Sequence, residues 1–218
     1  LEEIPGIERY LYKLPVFATA EYAGYLKETQ NYSTVWFYSN TNTRTQFINP
    51  FIIRNRFIFK IGTFSTTPVH LDENLDIEDE REFLNSVVDS IKQNKLCDWI
   101  QQTPNWALTK VVPDNSIACA FGTYIIDLGK NSENELLHNM KRDHRQHIRN
   151  ALNNTAISIR SGPELLDDCL KVFSLSSSGK QIKLPSKNEI EKLIDHLSDK
   201  IHIYVSYTFN IPQSTVIY

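Results

Sequence analysis

Residues 127–161, DLGKNSENELLHNMKRDHRQHIRNALNNTAISIRS, decide the fold of this chain. Ser132 followed by Glu135 forms an S-x-x-E capping box, which marks the start of a helix. Apolar residues then recur at helical spacing, namely Leu137, Met140, Ile148 and Ala151. Asn153 and Asn154 end the helix, and residues 156–160 alternate as a strand does. We therefore predict one helix over 133–152 that leads into a sheet strand.

The predicted helix carries a basic flank, formed by Arg142, Arg145 and Arg149 beside Lys141. Such a flank is either a solvated surface or a site for an anion, since guanidinium groups bind phosphate bidentately. The sequence leaves both interpretations open.

Three histidines fall within ten residues of one another, His138, His144 and His147. Only the last two are close, no third ligand is evident, and His144 shares the apolar stripe. We predict no metal site here.

The same stretch resembles the signature of the Fem family of peptidoglycan aminoacyltransferases and of its relatives in the GNAT acyltransferase superfamily. The residues that match are Asp127-Leu128, Leu136, Leu137, Arg145, Ile148-Arg149, Ala151 and the strand at 156–160. The family pattern continues with a helix at 163–174 and a second capping box, Ser186 with Glu189. A hairpin follows, with a strand at 201–209, a turn at 210–213 and a strand at 214–218.

The first half mixes helical and strand patterns. We predict helices at 19–30 and 76–95, and strands at 34–39, 44–48, 97–101 and 118–128. Residues 51–64 alternate basic and apolar side chains, which predicts one half-buried strand with Arg54, Arg56 and Lys60 on its polar side. Most of the aromatic residues here are expected in the core, and a few beside Arg54 or Lys60 could stack on a base or sugar. The fold class is α/β (α+β), a mixed sheet flanked by helices.

The resemblance implies two GNAT-like units in tandem, with 1–128 as the first and 129–218 as the N-terminal part of the second. In a GNAT fold a glycine-rich loop after the hairpin holds the pyrophosphate of acyl-CoA. No Q-x-x-G-x-G/A loop occurs in this sequence, so we expect a truncated second unit, a fragment without a cofactor site.

The implied activity is transfer of an acyl or aminoacyl group from aminoacyl-tRNA or acyl-CoA to an amine of a cell-wall or sugar-nucleotide-linked acceptor. Because the donor is already activated, no nucleophile is needed, and no catalytic residue is assigned. By resemblance the substrate-binding residues are Lys27, Arg142, Arg145, Arg149, Lys180 and Lys183. Lys180 or Lys183 stands where the family has arginine, which loses the bidentate fork.

Two alternatives stay open. One is a catalytically inactive GNAT-like module that recognises a phosphate-containing ligand or a protein partner. The other is RNA binding through the arginine flank, which the net charge of −3 disfavours, as it does DNA binding.

Three scattered cysteines, Cys97, Cys119 and Cys169, form no metal or redox motif and suggest a reducing compartment. No apolar run is long enough to span a bilayer, and the first residues lack signal-peptide character. We therefore expect a cytoplasmic protein, and the Fem resemblance implies a bacterial one.

Overall fold

A computed structural model describes residues 1, 3–40, 45–72, 75–101, 109–117, 129, 131–177 and 184–218. The chain divides into two compact units, Leu1–Gly122 with Asp195–Leu197, and Thr123–Ile194 with Ser198–Tyr218. The GNAT-like character of each unit and a boundary between 128 and 129 stay predictions. The strand predicted at 118–128 and Cys119 lie outside the described residues.

The first unit is built around a mixed sheet. Three single-turn 3-10 helices come first, at Ile7–Arg9, Leu11–Lys13 and Val16–Ala18. The longer elements are α1 (Ala20–Gln30), β1 (Ser33–Asn40), β2 (Thr45–Arg56), β3 (Phe59–Phe64), β4 (Val69–His70), α2 (Ile77–Gln93) and β5 (Trp99–Ile100). The strand order is β1-β2-β3-β5, and β4 also pairs with β2. Among the described strands all pairs are antiparallel except β3 with β5, so the predicted mixed sheet flanked by helices is confirmed.

Helices α1 and α2 each begin at a side chain that caps free backbone N–H groups. The Thr19 hydroxyl accepts a hydrogen bond from the Tyr22 N–H at 3.3 Å and starts α1. At α2 the Asp76 carboxylate accepts from the Asp79 N–H at 3.0 Å, while the Asp79 carboxylate accepts from the Asp76 N–H at 2.9 Å. The helices predicted at 19–30 and 76–95 are therefore confirmed.

The core of the first unit lies on both faces of the sheet, because successive β2 side chains point to opposite sides. One cluster contains Ile4, Ile7, Leu14, Ala18, Ile48 and Leu71. The other, beneath α2, contains Phe47, Phe51, Phe64, Phe83, Val87 and Ile91. Burial on both sides makes β2 the central strand of the unit.

The prediction of one strand over 51–64 is wrong. The chain reverses at Phe57 and Ile58, and β2 pairs with β3 from Arg56 opposite Phe59 onwards. The turn contains no Gly, Pro, Asn or Asp, which are the residues that usually mark a reversal. Arg54 and Arg56 consequently lie on one face of the sheet and Lys60 on the other.

The described part of the second unit combines α-helices with an antiparallel sheet in the order β6-β7-β8. Its elements are α3 (Glu133–Asn139), α4 (Arg142–Leu152), β6 (Ile157–Ser161), α5 (Leu166–Ser177), α6 (Lys187–Leu197), β7 (Ile203–Thr208) and β8 (Ile211–Ile217), with 3-10 turns at Pro163–Leu165 and Ser198–Lys200. One face of β7 is buried against the helices, and this core contains Leu166, Cys169, Ile190, Ile203, Val205 and Tyr207. The β7–β8 turn is Phe209-Asn210, shorter than the predicted 210–213.

The single helix predicted over 133–152 is wrong, because α3 and α4 are separate. Met140 (φ −71°, ψ 153°) and Lys141 (φ −56°, ψ 146°) are extended and interrupt the helical hydrogen bonds. The Arg145 guanidinium donates to the His138 carbonyl at 2.8 Å, which satisfies an acceptor that the end of α3 leaves free. The predicted Ser132–Glu135 capping box at the start of α3 is confirmed.

Within the described part of the chain, no helix has both the length and the apolar character that crossing a membrane requires.

Candidate functional site

The basic face of α4 brings together three of the predicted site residues. Arg145 follows Arg142 by three positions, and Arg149 follows Arg142 by seven. The three side chains therefore lie on one side of the helix. No residue of α4 is buried, and Arg142 and Arg149 are exposed without a side-chain partner among the described residues. Their guanidinium groups are therefore open to an anion, and two Arg forks can hold one phosphate bidentately.

Arg145 has a different position from its two neighbours. It is half-buried, and its side chain is held by the His138 carbonyl at the end of α3. This contact fixes α4 against the preceding turn and leaves fewer N–H groups for a ligand. Sequence reasoning assigned all three arginines one role, while the structure separates a positioning residue from two open ones.

A fourth arginine, which sequence reasoning missed, lies in β6. The Arg160 guanidinium stands over the Tyr207 ring at 4.4 Å and donates to the Asn210 side-chain oxygen at 2.6 Å. The Tyr207 hydroxyl donates to the Asp168 carboxylate at 2.7 Å. This hydrogen bond is the main reason that the pKa of Tyr207 is raised, with burial second. No sequence signal identifies the cluster, because its members come from α5, β6, β7 and the β7–β8 turn.

Lys27 lies in the first unit, exposed near the end of α1. A narrow crevice beside α1 is lined by Phe17, Thr19, Tyr22, Ala23, Leu26, Thr34, Trp36, Pro50, Ile52 and Ser65. Lys27 is not among these residues. Burial, with a contribution from Tyr25, raises the pKa of Tyr22 to about 12. The Thr34 hydroxyl and the Trp36 indole N–H are buried here without a hydrogen-bond partner among the described residues.

A larger cavity of about 350 Å³ opens between α2 and the first two strands. Its lining residues are Phe37, Tyr38, Ser39, Gln46, Phe47, Asp79, Glu82, Phe83, Ser86, Val87 and Ser90. Among its described lining residues the charged groups are the carboxylates of Asp79 and Glu82, which repel an anion. The cavity is therefore unsuited to the phosphate group that the basic residues were predicted to bind.

Two predicted site residues, Lys180 and Lys183, lie outside the described residues. Among the residues that the structure describes, no group of three or more His, Cys, Asp or Glu side chains is placed to hold a metal ion. His138 belongs to α3, whereas His144 and His147 belong to α4. Cys169 is fully buried in the core of the second unit, and Cys97 is half-buried at the edge of the core beneath α2.

Comparison with known proteins finds a likeness of structure rather than of sequence. No protein-family model matches the chain, and no curated protein matches it significantly. The crystal structure of FemX superposes with a TM-score of 0.60 over 88% of this chain, at 14% sequence identity. The chain covers 52% of FemX, about half of its length. The likeness confirms a FemX-like fold, as the Fem resemblance predicted.

Proposed function

We propose that the chain is part of an acyl- or aminoacyl-transferase of the Fem type. The transferred group would come from aminoacyl-tRNA or acyl-CoA and go to an amine of a cell-wall or sugar-nucleotide-linked acceptor. The observation that carries this proposal is the FemX-like fold, which extends over 88% of the chain. Fold alone is an argument by analogy, so the chemistry must come from the site.

The open arginines supply that chemistry. Arg142 and Arg149 bind the phosphates of the acceptor, and Arg145 holds α4 in place through the His138 carbonyl. Because the donor is an activated ester or thioester, the remaining requirements are orientation of a neutral amine and stabilisation of an oxyanion. Lys27 adds a cation in the first unit, and Lys180 and Lys183 stay predicted contacts.

Ligand-dependent thermal unfolding of the full-length protein tests the acceptor. The ligands are a UDP-linked peptidoglycan precursor, a UDP-sugar, acetyl-CoA and coenzyme A. A ligand at about a hundred times its dissociation constant stabilises by roughly 2.7 kcal/mol, which shifts the melting temperature of a protein of this size by several degrees. We expect a shift with the precursor.

Variants then test the site. The double variant Arg142→Ala/Arg149→Ala should abolish the shift without lowering the melting temperature of the free protein, since both side chains are exposed. Arg9→Ala/Lys171→Ala removes two exposed cations elsewhere and serves as the control. If the first double variant keeps the whole shift, α4 is not the phosphate site. A shift with acetyl-CoA alone indicates an ordinary acyl-CoA-dependent enzyme, and precursor binding without any transfer product indicates an inactive binding module.

A further inference from the structure

The end of the β2–β3 hairpin exposes an unusual amount of apolar surface. Phe57, Ile58 and Phe59 are consecutive and are 106%, 86% and 58% exposed. Trp99, on the neighbouring strand β5, is 67% exposed. Single exposed apolar residues are ordinary, but a contiguous group of this kind marks an interaction surface. We call these four residues the hairpin tip.

The backbone conformation of the turn does not explain why phenylalanine occurs there. Phe57 has φ 53°, in the left-handed region that a bulky side chain disfavours and that Asn or Gly adopts readily. Neither the backbone nor exposure to water therefore favours phenylalanine at this position. Phe209 in the β7–β8 turn has the same backbone conformation (φ 50°), so the feature that distinguishes the β2–β3 turn is its contiguous group of exposed apolar side chains.

Cationic side chains flank the hairpin tip. Arg56 pairs with Phe59 across the hairpin, and Trp99 pairs with Ile61, so Arg56, Phe59 and Trp99 share one face of the sheet. Lys60 extends from the other face. Arg56 and Lys60 are exposed and have no side-chain partner among the described residues. The Asp98 carboxylate accepts a hydrogen bond from the Lys60 backbone N–H at 2.7 Å.

We propose that the hairpin tip attaches this protein to the surface of an anionic phospholipid bilayer. Phe57 and Ile58 enter the boundary between headgroups and acyl chains, where apolar side chains leave water. Trp99 and Phe59 lie at the headgroup level that aromatic residues prefer. Arg56 and Lys60, which flank the tip, contact the anionic headgroups, whose charge is opposite to theirs. The inference concerns attachment and is independent of the proposed transferase function.

The shape of the tip favours lipid over nucleic acid. Bases stack on aromatic rings that form a platform along a positively charged groove. Here an aliphatic side chain, Ile58, stands beside Phe57 at the end of a two-residue turn, and it has no ring face on which a base can stack. The hairpin ends in the apolar pair Phe57 and Ile58, with the cations Arg56 and Lys60 on the adjoining strands. This order of apolar and cationic groups matches that of acyl chains and anionic headgroups at a bilayer surface.

Sedimentation with vesicles tests the inference on the full chain. Mixed phosphatidylcholine–phosphatidylglycerol vesicles should bind the protein, and pure phosphatidylcholine vesicles should bind it much more weakly. Phe57→Asn/Ile58→Gly keeps a favourable two-residue turn and should reduce binding at least about tenfold. Arg56→Gln/Lys60→Gln should weaken binding to the anionic vesicles about fivefold per charge at low salt.

The β7–β8 turn supplies a matched control. Phe209 has φ 50° and is 77% exposed, so Phe209→Asn makes the same chemical change at a second exposed turn. We expect it to leave binding unchanged. Far-ultraviolet circular dichroism verifies the fold of each variant. If the Phe57→Asn/Ile58→Gly variant does not fold, brominated lipid provides a second test. It should quench the tryptophan fluorescence of the native chain more than that of Trp99→Phe if Trp99 reaches the bilayer.

Three results would overturn the inference. The first is failure of the native chain to bind anionic vesicles, or equal binding to neutral ones. The second is a loss with Phe209→Asn as large as with the tip variant. The third is that the native chain binds single-stranded RNA, loses this binding in the tip variant, and does not bind vesicles.

Discussion

Gly62 provides a sharp test of the packing beneath α2. A Cβ atom added at this residue of β3 would lie 2.0 Å from the Phe51 Cζ and 2.9 Å from the Cys97 Sγ. Non-bonded carbon atoms prefer separations of about 3.5–4.0 Å, so Gly62→Ala requires a displacement of more than about 1 Å. The Phe51 ring is fully buried and contacts Phe64 edge-on at 5.1 Å between centroids, which leaves it little room to move.

We expect Gly62→Ala to reduce the free energy of unfolding by about 3 kcal/mol, the upper end of the usual overpacking cost. For a chain of this length that lowers the melting temperature by roughly 6–12 °C. Urea unfolding followed by circular dichroism measures the loss. Gly6→Ala is the control, because Gly6 has φ 72° but nothing within 4 Å of the added atom. Its cost should be about 1 kcal/mol, from the backbone alone.

A double-mutant cycle identifies the clash itself. If the Phe51 ring is the obstacle, Phe51→Leu should recover at least about 1 kcal/mol of the Gly62→Ala loss, so that the two changes are not additive. The reasoning is refuted if Gly62→Ala costs no more than Gly6→Ala, or if the losses of the two single variants simply add.

Three further predictions concern single side chains. Burial raises the pKa of Tyr22 to about 12 from an unfolded value of about 10, so the stability this group contributes is complete below pH 10 and is lost as the pH rises towards 12. Urea unfolding across this range should show a loss of about 2 kcal/mol that is absent in Tyr22→Phe; an equal loss in the variant would contradict the assignment. Tyr207→Phe removes the hydrogen bond to Asp168 and should cost about 1–2 kcal/mol in urea unfolding, and no change would mean that water replaces that bond fully. Ser186→Ala removes the capping box with Glu189 and should cost about 1 kcal/mol, which Ser186→Asn should restore; a neutral Ser186→Ala would show that the cap is unimportant.

Features set by neighbouring residues were predictable from the sequence. Ser132 with Glu135 and Ser186 with Glu189 form the expected capping boxes, because the Glu lies one turn after the Ser and needs no tertiary contact. The strand predicted at 34–39 is β1, and the one predicted at 44–48 is the first part of β2, which pairs with β1 in antiparallel register.

Features that depend on distant contacts or on unusual turn residues were not predictable. The break at Met140 carries no Gly or Pro, and its compensation, the bond from Arg145 to the His138 carbonyl, appears only in three dimensions. The reversal at Phe57 likewise lacks a turn residue. For the candidate site, the arginine face of α4 followed from helical spacing. The Arg160–Tyr207 contact did not, because about fifty residues separate its members.

The connection between β6 and β7 has a consequence for synthesis of the chain. Ser161 ends β6 and Ile203 begins β7, about forty residues later, although the two strands pair directly. At a translation rate of about 5–20 residues per second, β6 leaves the ribosome roughly 2–8 s before its partner exists. The β7–β8 hairpin, by contrast, closes within microseconds once it is made. During that interval Ile157 and Ile159 belong to an unpaired strand, the form of nascent chain that chaperones protect from aggregation.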